Sequence, residues 1–386
     1  MYLDFKKIIA LSFVIPTYFI FFIGKEPIIQ GLAYLSYLIP FYLLINKKEI
    51  KLSKPFLFNI IIFLLLLLIP SIINFQRNTL ESELIRLDVL FYHAFMLTII
   101  FIIFYNYSLK DVEIKLREYF SLMLFFSLPM VLLIFFKTIY LFLISDWRPH
   151  PFYMHPNVAS EIMLAILIIS LQLKNSILKW MIVFISLLTS YLCESRGAII
   201  SMYIILFFLF IPSLFFSINK YKVYFLILFS FLIIFFHDLF FSLFQNFLLL
   251  NHNYENIAGR LDIWIISLNL FYENIYSGIG FFVSPLGYSV PANFPDWATI
   301  DNPSFQIHNA FLRIATENGI GLFLFVTIII LLALFKTLIN RNFYEFGILV
   351  GIIFFLFFST RHLTLNLLNI LFYFYIIKAL TYKNAN

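Results

Sequence analysis

The run FLFNIIIFLLLLLIPSIINF at 56–75 decides the fold class. It carries no charge, and its length meets the roughly 20 apolar residues that an α-helix needs to cross a bilayer. Runs of the same kind recur near 8–24, 28–46, 89–107, 119–145, 158–173, 178–193, 197–217, 222–236, 309–335, 345–359 and 363–380. With 62% apolar and 12% charged residues in 386, and a mean hydropathy of +0.97, little chain is left for a soluble domain. The expected fold is therefore an all-α integral membrane protein of about 12 transmembrane helices. No small-residue cleavage site follows the first run, which is expected to stay as a span and not to be removed as a signal peptide. Cys193 is the single cysteine, so neither an intrachain disulfide nor a Cys/His metal cluster is expected.

Charge gives an orientation. Counted over alternate connections, most of the 26 Lys and Arg residues collect on one side, among them Lys47, Lys48, Lys110, Lys115, Lys174, Lys220, Lys336 and Lys378. The positive-inside rule assigns that side, with both termini, to the cytoplasm. The net charge of +6 thus marks topology, and nucleic acid is not an expected partner. The basic residues left for the opposite face or the spans are mostly arginines: Arg77, Arg86, Arg148, Arg196, Arg260, Arg313 and Arg361. A topology anchor needs only positive charge, whereas forked recognition of phosphate or carboxylate favours guanidinium, so the outer face reads as an anion site. Most of the histidines fall there too.

Four parts follow: N-terminal transmembrane helices at 1–145, transmembrane helices with outer arginine motifs at 146–236, an outer loop domain at 237–307, and C-terminal transmembrane helices at 308–386. The loop holds the turn chemistry, including SGIG at 277–280 and Pro285, Pro291, Pro295 and Pro303. Within it, LDIWIISLNLF at 261–271 reads as a short interfacial helix beginning just after Arg260.

Four outer segments carry the candidate chemistry: DWRPHPFYMHPN at 146–157, ESRGA at 194–198, GRLDIW at 259–264 and HNAFLRIATENGIGLFLF at 308–325. Arg196 sits between apolar runs on the side where arginine is disfavoured, with a snorkelling residue paired to Glu194 as the plainer reading. Arg260 has Glu255 and Asp262 in local reach, so a loop ion pair is its plainer reading. His308 is followed by Asn309 at a helix start. An imidazole near outer arginines is the usual general base at neutral pH, while helix capping is the alternative. Arg148, His155 and Asn157 in their Pro-rich turn, together with Asn309, Arg313 and Arg361, form a second tier. The sequence has no HExxH helix, no GxSxG elbow, no P-loop and no paired carboxylates for a divalent ion, so neither metal nor cofactor is expected.

With these segments in place, the chain resembles the O-antigen ligase/polymerase family of bacterial polytopic glycosyltransferases. His308, Asn309 and Gly319 match the family's pattern of His, then Asn, Ser or Gln, then nine residues, then Gly. A small residue usually follows that Gly by three positions, whereas here Gly321 follows by two, which suggests a shorter turn. ESRGA resembles the family's span-end arginine, GRLDIW with SGIGFF its loop motif, and WRPHPFYMHPN its arginine turn ending in Pro-Asn.

The resemblance implies a C-type glycosyltransferase-like helical fold with one long periplasmic loop carrying short helices. It implies an undecaprenyl-diphosphate-linked glycan donor, an acceptor that is a lipid-linked repeat unit or lipid A core, and a place in the bacterial inner membrane with the active site periplasmic. A chain-length regulator is a further implied partner. On this reading Arg196 and Arg260 bind the diphosphate and His308 is catalytic. Ligase and polymerase share these motifs. The acidic balance of 237–307 is poorly suited to a heavily phosphorylated core acceptor, which favours the polymerase. Transfer of glycan to protein ranks behind these. A transporter or flippase would instead concentrate ionisable residues and broken helices at the bilayer midplane, where this chain has few beyond Lys137 and Glu161.

Overall fold

The structure, a computed structural model of the chain, describes residues 5–23, 33–46, 50–77, 87–108, 112–144, 149, 151, 156–173, 177–215, 255–281, 307–359 and 365–381. Among them it is built from helices alone. Helix α1 (Phe5–Ile23) is followed by a 3₁₀ turn at Leu35–Tyr37 that leads into α2 (Leu38–Asn46). Then come α3 (Lys54–Arg77), α4 (Leu87–Ser108), α5 (Val112–Ile144), α6 (Pro156–Ser170), α7 (Ile177–Leu192) and α8 (Arg196–Phe215). The remaining helices are α9 (Glu255–Glu273), α10 (Ala310–Ile339), α11 (Phe343–Phe357) and α12 (Leu367–Thr381). The expected span at 222–236 lies outside the described residues, as do 237–254 and 282–306 of the loop.

Four stretches are long and apolar enough to cross a bilayer: Lys54–Asn74, Val89–Asn106, Glu118–Ile144 and Ala310–Ile339. The other apolar helices are shorter. At 15 residues, α6 and α12 measure about 22 Å, less than the hydrocarbon thickness. Both are buried along nearly their whole length. A helix that is apolar all round and enclosed by other helices is solvated by protein, so its length need not match the lipid. By contrast, the most apolar window of α10 is only 22% buried and that of α3 only 28%. Phe58, Phe136, Phe184 and Phe335 stand out from the bundle. So much exposed apolar surface is stable only against lipid.

Helix α6 packs against α5, α7, α8 and α12, and α12 packs against α1, α4, α10 and α11, so these two form the hub. The most extensive pair is α8 with α11. There Gly347 and Gly351, four apart, let the backbones close up: a Cβ at Gly351 would stand 2.9 Å from the Ser201 carbonyl oxygen. Small residues at this spacing are how helices approach in lipid, where no hydrophobic force drives them together.

Polar contacts join like ends of the helices. At one end Gln172 Nε2 donates to the Tyr344 and Tyr375 hydroxyls (2.7 and 2.6 Å), Lys378 pairs with Glu345, and Lys336 Nζ donates to the Leu380 carbonyl (2.7 Å). At the other, Asn366 Nδ2 donates to Glu161 Oε1 (2.6 Å) and the Tyr37 hydroxyl to the Leu365 carbonyl (3.0 Å). Helices α10, α11 and α12 therefore alternate in direction, and α6 runs in the sense of α12.

Candidate functional site

The end away from Lys336 and Lys378 holds Arg196, His308 and Asn309. Helix α10 begins there. Asn309 is its N-cap, with extended backbone (φ −159°, ψ 108°) and Oδ1 accepting from the amides of Phe311 (3.1 Å) and Leu312 (3.0 Å). This satisfies donors that a helix start leaves open and fixes the half-buried His308 one residue ahead of the cap. One turn in, Arg313 Nε lies 2.8 Å from Glu317 Oε1, with the side chains 5% and 0% exposed. A guanidinium this deep requires a carboxylate, and the helix supplies one four residues on. Arg313 is thus engaged within its own helix.

Sequence periodicity suggests a continuous span through 309–335. Instead α10 is broken at Gly319 (φ 77°, ψ −179°), a conformation open essentially to glycine. A break leaves backbone groups without helical partners, which is costly inside a membrane protein. The SGIG segment, read from sequence as loop, supplies them. The Ile279 and Gly280 amides donate to the Thr316 and Glu317 carbonyls (both 2.9 Å), and the Ile320 amide donates to the Ile275 carbonyl (2.7 Å). Residues 278–281 are buried, forming a strap threaded against the break. The approach is so close that a Cβ at Gly278 would lie 2.4 Å from the Glu317 carbonyl, and one at Gly319 would lie 2.6 Å from that of Tyr276. No shortened turn follows Gly319, because the helix resumes at once.

The strap joins α9 to α10. Helix α9 starts at Glu255, so Arg260 lies within it and not ahead of it, and the helix is longer than the apolar pattern of 261–271 suggests. Thr316 Oγ1 donates to the Ser267 carbonyl (3.1 Å), while Ile275 meets Ile320. Later residues of α9 meet later residues of α10, so the two helices run in the same sense. The Arg260 turn of α9 and the His308 start of α10 therefore extend towards the same end. Trp264, one turn after Arg260, has a buried indole N–H with no hydrogen-bond partner among the described residues.

Arg196 arrives by a different device. Helix α7 ends in a tight cap in which the Ser195 amide donates to the Ser190 carbonyl (3.1 Å) and that of Glu194 to Tyr191 (2.9 Å), with Glu194 left-handed at φ 51°. This is the Schellman pattern, normally built on glycine. Helix α8 starts at once, with Arg196 as its first residue. A cation opposes the positive end of the helix dipole, so Arg196 costs the helix stability where an acid would add it. That position suits an anion, which would meet guanidinium and helix-start amides together. Arg196 and His308 are linked through α11: a Cβ on Gly197 would meet that of Phe358 at 3.3 Å, and the Phe357 ring lies 4.9 Å from that of Phe311.

Asn157 lies half-buried at the start of α6, on the end where Glu161 meets Asn366. Arg148, His155 and Arg361 lie outside the described residues. Sequence reasoning missed Glu317, Ser71 and Asn74. The Arg-x-x-x-Glu spacing signalled the first. For the other two the only signal was a serine and an asparagine three apart in an apolar run.

The fold defines a class, a polytopic helical membrane protein, and Arg196, His308 and Asn309 lie at one end of its bundle. Residues 181–327 match the sequence model of the family described as O-antigen ligase. The matched segment spans Arg196, Arg260, His308 and the strap, and supports the resemblance to the O-antigen ligase/polymerase family. No curated protein matches the chain.

Proposed function

We propose that the protein transfers an undecaprenyl-diphosphate-linked oligosaccharide to an acceptor sugar hydroxyl at the periplasmic face of the inner membrane, acting as a surface-polysaccharide polymerase. The observation that carries the reading is the same-sense packing of α9 and α10 through the strap, which directs Arg260 and His308 to the end that also holds Arg196. The family match supports glycan transfer of the O-antigen ligase/polymerase type.

In this mechanism the acceptor oxygen attacks the anomeric carbon, its O–H proton passes to His308, and the carbon–oxygen bond to the diphosphate breaks with inversion. Negative charge grows on the leaving diphosphate, where Arg196 and Arg260 provide forked donors without a metal. Asn157 at the start of α6 and Arg148, His155 and Arg361 are second-tier candidates for contacts to donor or acceptor, and Asn309 and Arg313 shape the start of α10. About 12 spans, cytoplasmic termini and a long periplasmic loop at 237–307 complete the arrangement, with the chain divided at 145, 236 and 307. A second reading, ligation of the finished glycan to lipid A core, is favoured by the description of the matching family as O-antigen ligase.

Purified protein in liposomes with the lipid-linked repeat unit alone should yield a ladder of lengthened glycans, and EDTA should not abolish it. Product only on addition of lipid A core would establish the ligase. Absence of product under both conditions would overturn glycan transfer.

A further inference from the structure

We infer that Asn74, near the end of α3, is a positioning residue for the transfer reaction, acting through the strap that joins α9 to α10. The inference rests on the function proposed above and adds to it a residue on a helix outside the family match.

The argument is an accounting of backbone groups. Where α10 breaks, Thr316, Glu317 and Ile320 find their partners on the strap, as described. The strap is itself an irregular buried segment with carbonyls of its own to satisfy, and α3 supplies the donor. Asn74 Nδ2 donates to the carbonyls of both Ser277 (2.9 Å) and Gly278 (2.8 Å). One turn earlier, Ser71 Oγ accepts from the Phe281 amide (3.2 Å). The two α3 residues lie three apart, on one face, and bracket the strap. Asn74 is 5% and Ser71 0% exposed, so water does not replace them.

These bonds fix register. The strap touches α10 through single amides, and a slip along it would shift α9 relative to α10, and with it Arg260 relative to His308. The chemistry proposed for those residues needs the diphosphate and the acceptor hydroxyl held at one spacing. Misplacement by about 1 Å costs roughly 10² in rate even when the change lies far from the reacting atoms. Loss of Asn74 strips both carbonyls of their donor from α3 and leaves Gly278 with only the hydroxyl of the neighbouring Ser277 (3.2 Å), a sufficient force for such a slip. Asn74 touches neither reactant, so its loss should appear in turnover and not in donor binding.

The test uses full-length protein in liposomes with the undecaprenyl-diphosphate-linked repeat unit. Asn74→Ala should lower kcat by about 10² while KM for the donor stays within about threefold. Amide exchange at Ile279, Gly280 and Ile320 should speed up selectively. A kcat within about threefold of wild type, or a loss confined to KM, would overturn the inference. If the alanine variant does not fold, Asn74→Asp keeps the shape but loses donors as a carboxylate and regains one on protonation. Its rate relative to wild type should then rise as pH falls, and a flat ratio would equally overturn the inference. A wild-type protein that transfers no glycan would count against the proposed function instead, while unchanged amide exchange in the variant would still dispose of the strap's dependence on Asn74.

Discussion

Two helical hairpins at opposite ends of the bundle use the same backbone device and end in opposite charges. Between α7 and α8 the cap rests on Glu194 at φ 51°, and between α10 and α11 on Arg341 at φ 53°. In the second hairpin the Asn342 amide donates to Thr337 and the Arg341 amide to Leu338, the same pair of bonds as in the first. The helices that follow diverge. Helix α11 has Asn342 as N-cap, its Oδ1 accepting from the Glu345 amide (3.2 Å), and Glu345 in the first turn suits the helix dipole and pairs with Lys378. Helix α8 begins with Arg196 and has no acid in its first turn. At the Glu345 end, charge contributes to stability. At the Arg196 end the arginine works against the helix it starts, and closure of the fold falls to backbone groups, to the Arg313–Glu317 pair and to the amides of Asn74, Asn309 and Asn366. Charge placed against local stability is a mark of function.

The comparison can be broken most severely at Gly319. Gly319→Ala must adopt a glycine-only conformation and force a methyl group against the Tyr276 carbonyl. A loss of about 4 kcal/mol is expected, read as a collapse of thermal stability in detergent micelles. Stability close to wild type would mean that the break in α10 is adaptable and the strap dispensable.

The next test separates the hairpins directly. Arg196→Lys keeps the charge but not the forked donor, so transfer should fall by about 10² to 10³ with the melting temperature unchanged. Glu345→Gln should do the reverse. It leaves Lys378 poorly compensated and should cost about 3 kcal/mol of stability, while activity per folded molecule holds. If both variants lose only stability, Arg196 is a structural residue and the contrast fails.

The smallest effect tests the shared device. Glycine at position 194 or 341 relieves the left-handed strain but loosens the unfolded chain, so each change should raise stability by about 0.5–1 kcal/mol. Opposite signs at the two positions, by calorimetry or denaturant titration, would show that the caps are not equivalent.

The helices were legible because lipid imposes a one-dimensional rule: apolar length and the positions of lysines suffice to place most elements, and α3 to α8 begin and end within a few residues of the runs that predict them, except that α5 starts seven residues early, through the polar turns of 112–118. His308, Asn309 and Arg196 were legible as polar residues at span ends. Helix α9 was only half legible, because its first turns carry Asn256, Gly259, Arg260 and Asp262 and break the apolar pattern.

The strap was not legible at all. Nothing in SGIG indicates that its amides complete a broken helix, and nothing in SIIN at 71–74 indicates that an asparagine closes the account. Sequence by itself determined that the chain is a helical membrane protein and offered Arg196 and His308 as polar residues at span ends, because hydropathy and charge act residue by residue. Only the tertiary structure decided that α10 breaks at Gly319 and that α3, α9 and α10 are bound together there. Backbone groups freed in a non-aqueous interior must find partners, and which distant segment supplies them is a property of packing that local sequence does not carry.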